Sequence, residues 1–165
     1  MINDLIDFLN DSPVNFLAVK TIASMLDEAG YQRIDPEDKL PQLNAGSKIY
    51  TTKNDSSIYA FRIGSQPMAD AGFRMICAHC DSPTFRIKPN AEMTSEGGIV
   101  RLNTEVYGGP IMSTWMDRPL SLAGRVILKT DNVMRPKTEL PHIKRPTTTI
   151  AHLPIPFTRQ AKDRV

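Results

Sequence analysis

Cysteine is nearly absent, with Cys77 and Cys80 the only two in 165 residues. Three positions apart, they are too close to staple distant segments, so a disulfide framework is excluded and a reducing compartment is expected. No apolar run approaches the roughly 18 residues needed to span a bilayer. The opening Met1, Ile2, Asn3, Asp4 lacks the basic and apolar regions of a secretory signal. No membrane association is therefore expected, and the chain reads as cytoplasmic. Neither sign of charge dominates: 20 Lys and Arg face 18 Asp and Glu, scattered rather than gathered along a stripe. A surface that follows a phosphate backbone needs such a stripe, so nucleic acid is not expected as a partner.

What is present is an ordinary globular composition, 41% apolar and 23% charged, in a length that suits one domain of about 100–200 residues. Prolines outnumber glycines by 13 to 9 and gather late, at Pro136, Pro141, Pro146, Pro154 and Pro156. Proline interrupts helices, so the second half should be strands and turns.

Asn10, Asp11, Ser12 and Pro13 form a helix entry. Val14, Leu17, Ala18, Ile22, Met25, Leu26 and Ala29 then recur at spacings of three and four, which predicts an amphipathic helix ending at Gly30. Lys48–Thr52 and Ile58–Ile63 read as a hairpin around Lys53, Asn54, Asp55 and Ser56. Phe73 to Ala78 is apolar on both faces except for Arg74, the pattern of a strand buried inside an α/β sheet. Phe85 and Ile87 alternate with Arg86 and Lys88 in a strand leading to Pro89, and polar Asn90–Gly98 reads as a connection. Ile99–Val106 and Leu122–Lys129 are further strand candidates, joined through Gly108, Gly109, Pro110 and a segment carrying Trp115.

The densest chemistry lies in Cys77, Ala78, His79, Cys80, Asp81, Ser82, Pro83. A redox Cys-x-x-Cys pair needs its first thiol at a helix N-terminus, where the dipole favours the thiolate. Here Cys77 falls in a predicted strand, and Pro83 leaves no room for a helix. A structural zinc knuckle needs a second Cys/His pair, which the sequence does not contain. The third reading takes His79 and Asp81 as a pair at a strand end, where open α/β sheets place ligand sites. A metal-binding imidazole needs its second nitrogen held, and a carboxylate two residues away can do this. Taken alone the pair is weak, since a hydrogen-bonded strand-end histidine is the commoner outcome.

The wider sequence changes the weighing. Ala78, His79, Cys80, Asp81, Ser82, Pro83 resembles the Ala-His-x-Asp-Ser-Pro motif of M18 metallo-aminopeptidases, the group that includes aspartyl aminopeptidase. The alternation to Lys88 and Pro89 follows as in that family. Ser12 and Pro13 resemble its opening segment. Leu102, Asn103, Glu105, Tyr107, Gly108, Gly109, then Ser113, Thr114, Trp115, Asp117, Arg118, Pro119, Leu120 resemble its next block, and Leu122 to Val126 continue in register. The collinear blocks cover roughly residues 5 to 160.

The resemblance implies an α/β fold: a partial zinc-peptidase sheet with a flanking helix over residues 1–89, then the start of an inserted β-rich domain over 90–165 that mediates subunit contacts. It implies a cytosolic exopeptidase with two zinc ions (Zn2+) per active site. Its substrates would be peptides with a free N-terminus, often acidic, and the complete protein would be a homo-oligomer. His79 matches a zinc ligand. Asp81 matches the catalytic acidic residue that orients and polarises it. Zinc activates water and polarises the scissile carbonyl, while a separate glutamate normally serves as base. In the family the other ligands and that base lie beyond the position of Val165, so the chain alone is expected to bind metal poorly and to hydrolyse nothing. Half a catalytic sheet is also expected to leave an apolar face uncovered.

One departure stands out. The family histidine in the block equivalent to Ile150–Arg159 aligns with Pro156, which can neither coordinate a metal nor donate a hydrogen bond. His152 lies four residues earlier, about 13 Å away along a strand, and does not inherit the role. This favours an alternative of another class, a non-catalytic assembly module derived from the M18 scaffold. Trp115 is read as a packing residue, Asp117 and Arg118 as a structural pair, and His142 as a surface residue.

Overall fold

The computed structural model describes residues 1–94, 96–134 and 136–152. These fall into two units: Met1–Ser82 with Ala123–Pro141, and Pro83–Leu122 with the chain from His142 onward.

The first unit opens with α1 (Ile2–Asp11), which sequence reading missed although Ile2, Leu5, Ile6 and Leu9 share a helical face. The N-terminal amine pairs with Asp4 at 2.7 Å in its first turn. The anticipated helix is α2 (Asn15–Glu28), and it buries Leu17, Ala18 and Val19. Its end is a Schellman motif. The Gly30 N–H donates to Asp27 O at 3.0 Å and the Tyr31 N–H to Leu26 O at 2.9 Å. Gly30 supplies the left-handed conformation that this motif requires, at φ +78. Lys48 adds a cation there, its Nζ donating to Ala29 O at 2.8 Å, the sign that suits a helix C-terminus.

Against α2 lies a three-stranded sheet of β1 (Gln32–Arg33), β2 (Lys48–Lys53) and β3 (Ser57–Arg62), in that order, with β1 parallel and β3 antiparallel to β2. The anticipated hairpin is present. Asn54 and Asp55 take φ +53 and +51, as the two central residues of a type I′ turn must, and the Ser56 N–H closes the turn on Lys53 O at 3.1 Å. Ile49 and Tyr50 of β2 join Leu17, Ala18 and Val19 as the buried apolar core. Tyr50 reaches back to α2, where its hydroxyl donates to Asp27 Oδ1 at 2.8 Å. Arg125 fastens the later part of this unit: its Nη1 donates to Asn54 O at 3.1 Å, and its guanidinium lies 4.0 Å from the Phe16 ring centroid. After a one-turn α3 (Met68–Ala71), the chain carries no regular element until Pro83.

The buried strand anticipated over Phe73–Ala78 is therefore a correction. The segment pairs with no strand, and Phe73, Met75 and Ile76 are 74%, 83% and fully exposed. An apolar run forms a buried strand only when neighbouring strands bond both of its edges, and no described strand does so here.

The second unit is built from β4 (Thr84–Thr94) and β5 (Val100–Tyr107), an antiparallel pair. Here too the sequence reading changes, because β4 runs through Pro89 and most of the stretch read as a connection. Proline cannot donate to a ladder, and the strand accommodates it in a bulge between Ile87 and Glu92, where Asn103 Nδ2 bonds Asn90 O at 3.2 Å. Phe85 packs edge-on against Trp115 at 5.3 Å, the packing role expected of that indole. The single strand read over Leu122–Lys129 is two, β6 (Leu120–Ala123) and β7 (Val126–Leu128). β7 pairs with β8 (Lys137–Glu139) in the first unit, and β6 pairs with β9 (His142–Thr148). His142 opens β9 half-buried rather than lying on the open surface. Gly108 turns the chain after β5 at φ +73, where an added Cβ would sit 3.4 Å from Pro83.

Two outcomes follow. Burial first, and then the Asp27 hydrogen bond, raise the Tyr50 pKa above its usual 10.0. The folded chain thus holds this proton more tightly than the unfolded chain does. That contribution is complete below pH about 10 and is lost as pH rises through the raised value. Tyr50→Phe should cost about 1–3 kcal/mol at pH 7 in urea unfolding, and the mutant should lose less stability than the parent between pH 9 and about 11. The exposed Phe73, Met75 and Ile76 should drive self-association, since each such side chain gains about 1.5–3 kcal/mol on burial. Met75→Lys with Ile76→Lys should reduce light scattering at equal concentration, and a parent chain that stays monomeric would contradict this.

Candidate metal centre

His79 and Asp81 sit in the irregular stretch between α3 and β4, followed at once by Pro83. His79 Nδ1 is 2.8 Å from Asp81 O and 3.2 Å from Asp81 Oδ1. Carbonyl and carboxylate oxygens only accept, so Nδ1 must carry the proton. In the neutral ring the lone pair then belongs to Nε2, the arrangement a metal-binding imidazole needs. The side chain is 81% exposed, so no packed hydrocarbon surrounds it. Asp81 is half-buried.

The local spacing explains the lock. A residue two positions on can fold its carbonyl and its short carboxylate back on the same ring nitrogen without any long-range contact. The backbone carbonyl is the nearer acceptor, a contribution that sequence reasoning did not anticipate. The pair comes together as expected, but on an irregular segment rather than at the lip of a buried strand.

The cysteines around the pair do not form a redox centre of the thioredoxin kind. Cys77 is exposed and Cys80 half-buried, both are free, and the next element is a strand rather than a helix. Among the described residues no group of three or more His, Cys, Asp and Glu is placed to hold a metal ion. A catalytic zinc needs about three protein ligands. The described residues thus offer one prepared ligand and do not by themselves fit the group. The surface hollows lined by Arg33–Glu37 with Thr52–Asn54, and by Asp117–Pro119 with Pro146–Thr149, contain neither residue of the pair. Pro156, aligned with the family histidine, lies outside the described residues. Asp117 and Arg118 find separate partners: Asp117 Oδ1 accepts the His152 N–H, and Arg118 Nη1 donates to Thr114 O.

Residues 8–165 match the family described as aminopeptidase I zinc metalloprotease (M18). The chain belongs to the M18 aminopeptidase family. A probable M18 family aminopeptidase 2 from Clostridium novyi is 50% identical over 157 residues, covering 95% of this chain and 36% of that protein. Among solved structures, the chain resembles one in the Ape4 and Nbr1 complex with a TM-score of 0.86 and 36% identity, over 98% of this chain and 30% of that one. It resembles the S. cerevisiae mApe1 dodecamer with a TM-score of 0.80 and 26% identity, over 92% and 35%. This M18 chain thus spans about a third of the length of the relatives it matches. The solved M18 aminopeptidases mix sheets and helices, in agreement with the α/β class. No helix among the described residues is long and apolar enough to cross a membrane.

The double lock on Nδ1 has a measurable consequence. Asp81→Ala removes Oδ1 but leaves the nearer carbonyl, so His79 should keep its proton on Nδ1. Nitrogen chemical shifts of the labelled imidazole read this directly, and a switch to the Nε2–H form in the variant would contradict the geometry.

Proposed function

We propose that this chain forms the N-terminal section of a zinc aminopeptidase, in which His79 contributes one zinc ligand and Asp81 orients it. The observation that supports this most strongly is the engagement of Nδ1 by two acceptors, which leaves Nε2 as the donor atom. Zinc, when bound, supplies Lewis acidity toward water and a peptide carbonyl. The part played by this chain's own residues is to fix the ring's tautomer and orientation, a task worth about 10–100-fold in metal affinity or activity at comparable centres.

On this reading residues 1–89 belong with the catalytic α/β section and 90–165 begin the inserted β-rich part. The second unit has strands and short 3₁₀ turns but no α-helix among its described residues, which supports a β-rich part, although β4 begins before residue 90 and Ala123–Pro141 groups with the first unit. The substrates are peptides with a free N-terminus, acidic ones among them, and the setting is the cytoplasm. The complete enzyme carries two zinc ions per site and assembles as a homo-oligomer, a reading supported by the dodecameric state named for a solved relative. In the complete enzyme the rest of the catalytic sheet covers the exposed Phe73–Ile76 run. The 165-residue chain alone is inactive.

The test uses the polypeptide encoded by the whole reading frame, assayed for zinc content and for release of N-terminal Asp, Glu and neutral residues. The complete protein should hydrolyse such substrates. His79→Ala should lower both zinc content and kcat/KM, and Asp81→Asn should lower kcat/KM by about 10–100-fold. A complete protein that binds no zinc would instead mark an assembly module. Full zinc content and activity in His79→Ala would remove His79 from the centre.

A further inference from the structure

The block Ile111–Arg118 in the second unit is tied together by its own bonds. Thr114 Oγ1 donates to Ile111 O at 2.7 Å, the Thr114 and Trp115 N–H groups close a short 3₁₀ turn at 3.0 and 3.1 Å, and Arg118 Nη1 donates to Thr114 O at 3.1 Å. Trp115 anchors the block on Phe85 of β4. Near its end Asp117 takes φ +52, a left-handed conformation that aspartate and asparagine tolerate better than other residues with a Cβ.

What holds it is a pair of contacts to a remote segment. The Asp117 N–H donates to Ile150 O at 2.8 Å, and Asp117 Oδ1 accepts the His152 N–H at 2.9 Å, from a residue 35 positions away in sequence. Met116 and Ile150 form a parallel bridge beside them. Past β9, which ends at Thr148, no strand ladder fixes Ile150–His152, so these contacts define its course.

We propose that Asp117 is a positioning residue whose carboxylate, presented by the Ile111–Arg118 block, fixes the peptide of His152 and with it the direction of the chain at that point. The position makes two demands together: tolerance of positive φ, and an acceptor oxygen one carbon beyond Cβ. Asparagine meets both, glycine meets only the first, and alanine meets neither.

Residue-resolved amide hydrogen exchange on this protein and three variants tests the assignment. In Asp117→Gly the backbone conformation is permitted but the acceptor is gone, so the His152 amide should exchange about tenfold faster or more. The amides of the β4–β5 ladder should keep their parental rates. Asp117→Asn should retain His152 protection to within about threefold, because its side-chain oxygen meets the same geometric demand. Thr114→Val, which loosens the block without touching residue 117, should speed the same amide severalfold. The assignment is overturned if His152 exchanges at the parental rate in Asp117→Gly. It is overturned equally if the ladder amides accelerate in step with His152, if Asp117→Asn behaves like Asp117→Gly, or if Thr114→Val leaves the rate unchanged.

Discussion

The contact between α2 and β2 is the one on which the first unit depends. Leu17, Ala18 and Val19 meet Ile49 and Tyr50, and these five are the buried apolar residues among those described. At about 1.5–3 kcal/mol for each large side chain, so small a core stabilises little beyond the chain entropy it must offset. The polar contacts around it therefore matter more than they would in a larger domain. The Tyr50–Asp27 hydrogen bond, the Lys48 contact with the end of α2 and the Schellman turn at Gly30 all converge on the same helix–strand contact. Arg125 brings a distant stretch of sequence to the opposite end of α2, at Phe16.

Elements whose determinants are local were legible in the sequence. The apolar spacing of α2, its glycine terminus and the Asn54–Asp55 turn each depend on residues within a few positions, and each is present in the structure. Other features depend on partners far away in sequence. Phe73–Ala78 has the composition of a buried strand, yet no described strand bonds to it, so composition expressed a propensity that only neighbours can realise. β4 was cut short because Pro89 reads as a stop, whereas a bulge and the Asn103 amide carry the ladder past it. α1 offers an apolar face of only four residues in one short helix, a faint signal beside the longer periodic run of α2.

The candidate centre shows the same contrast. His79 and Asp81 are two residues apart, so the contact between them was readable and is made. The second acceptor on the ring, the Asp81 carbonyl, leaves no trace in residue identity because every residue has one. The role of Asp117 was equally hidden, since its partners are 33 and 35 positions away and nothing in Asp-Arg-Pro announces them.

The backbone passes between the two units three times, at Ser82–Pro83, at Leu122–Ala123 and at Pro141–His142. Neither unit is a continuous stretch of sequence. A ribosome must finish the forty residues from Pro83 to Leu122 before Arg125 can reach Phe16, so the first unit cannot be completed in the order in which it is made. No single cut isolates either unit: one at Ser82–Pro83 divides the first unit, one at Pro141–His142 divides the second, and one at Leu122–Ala123 divides both.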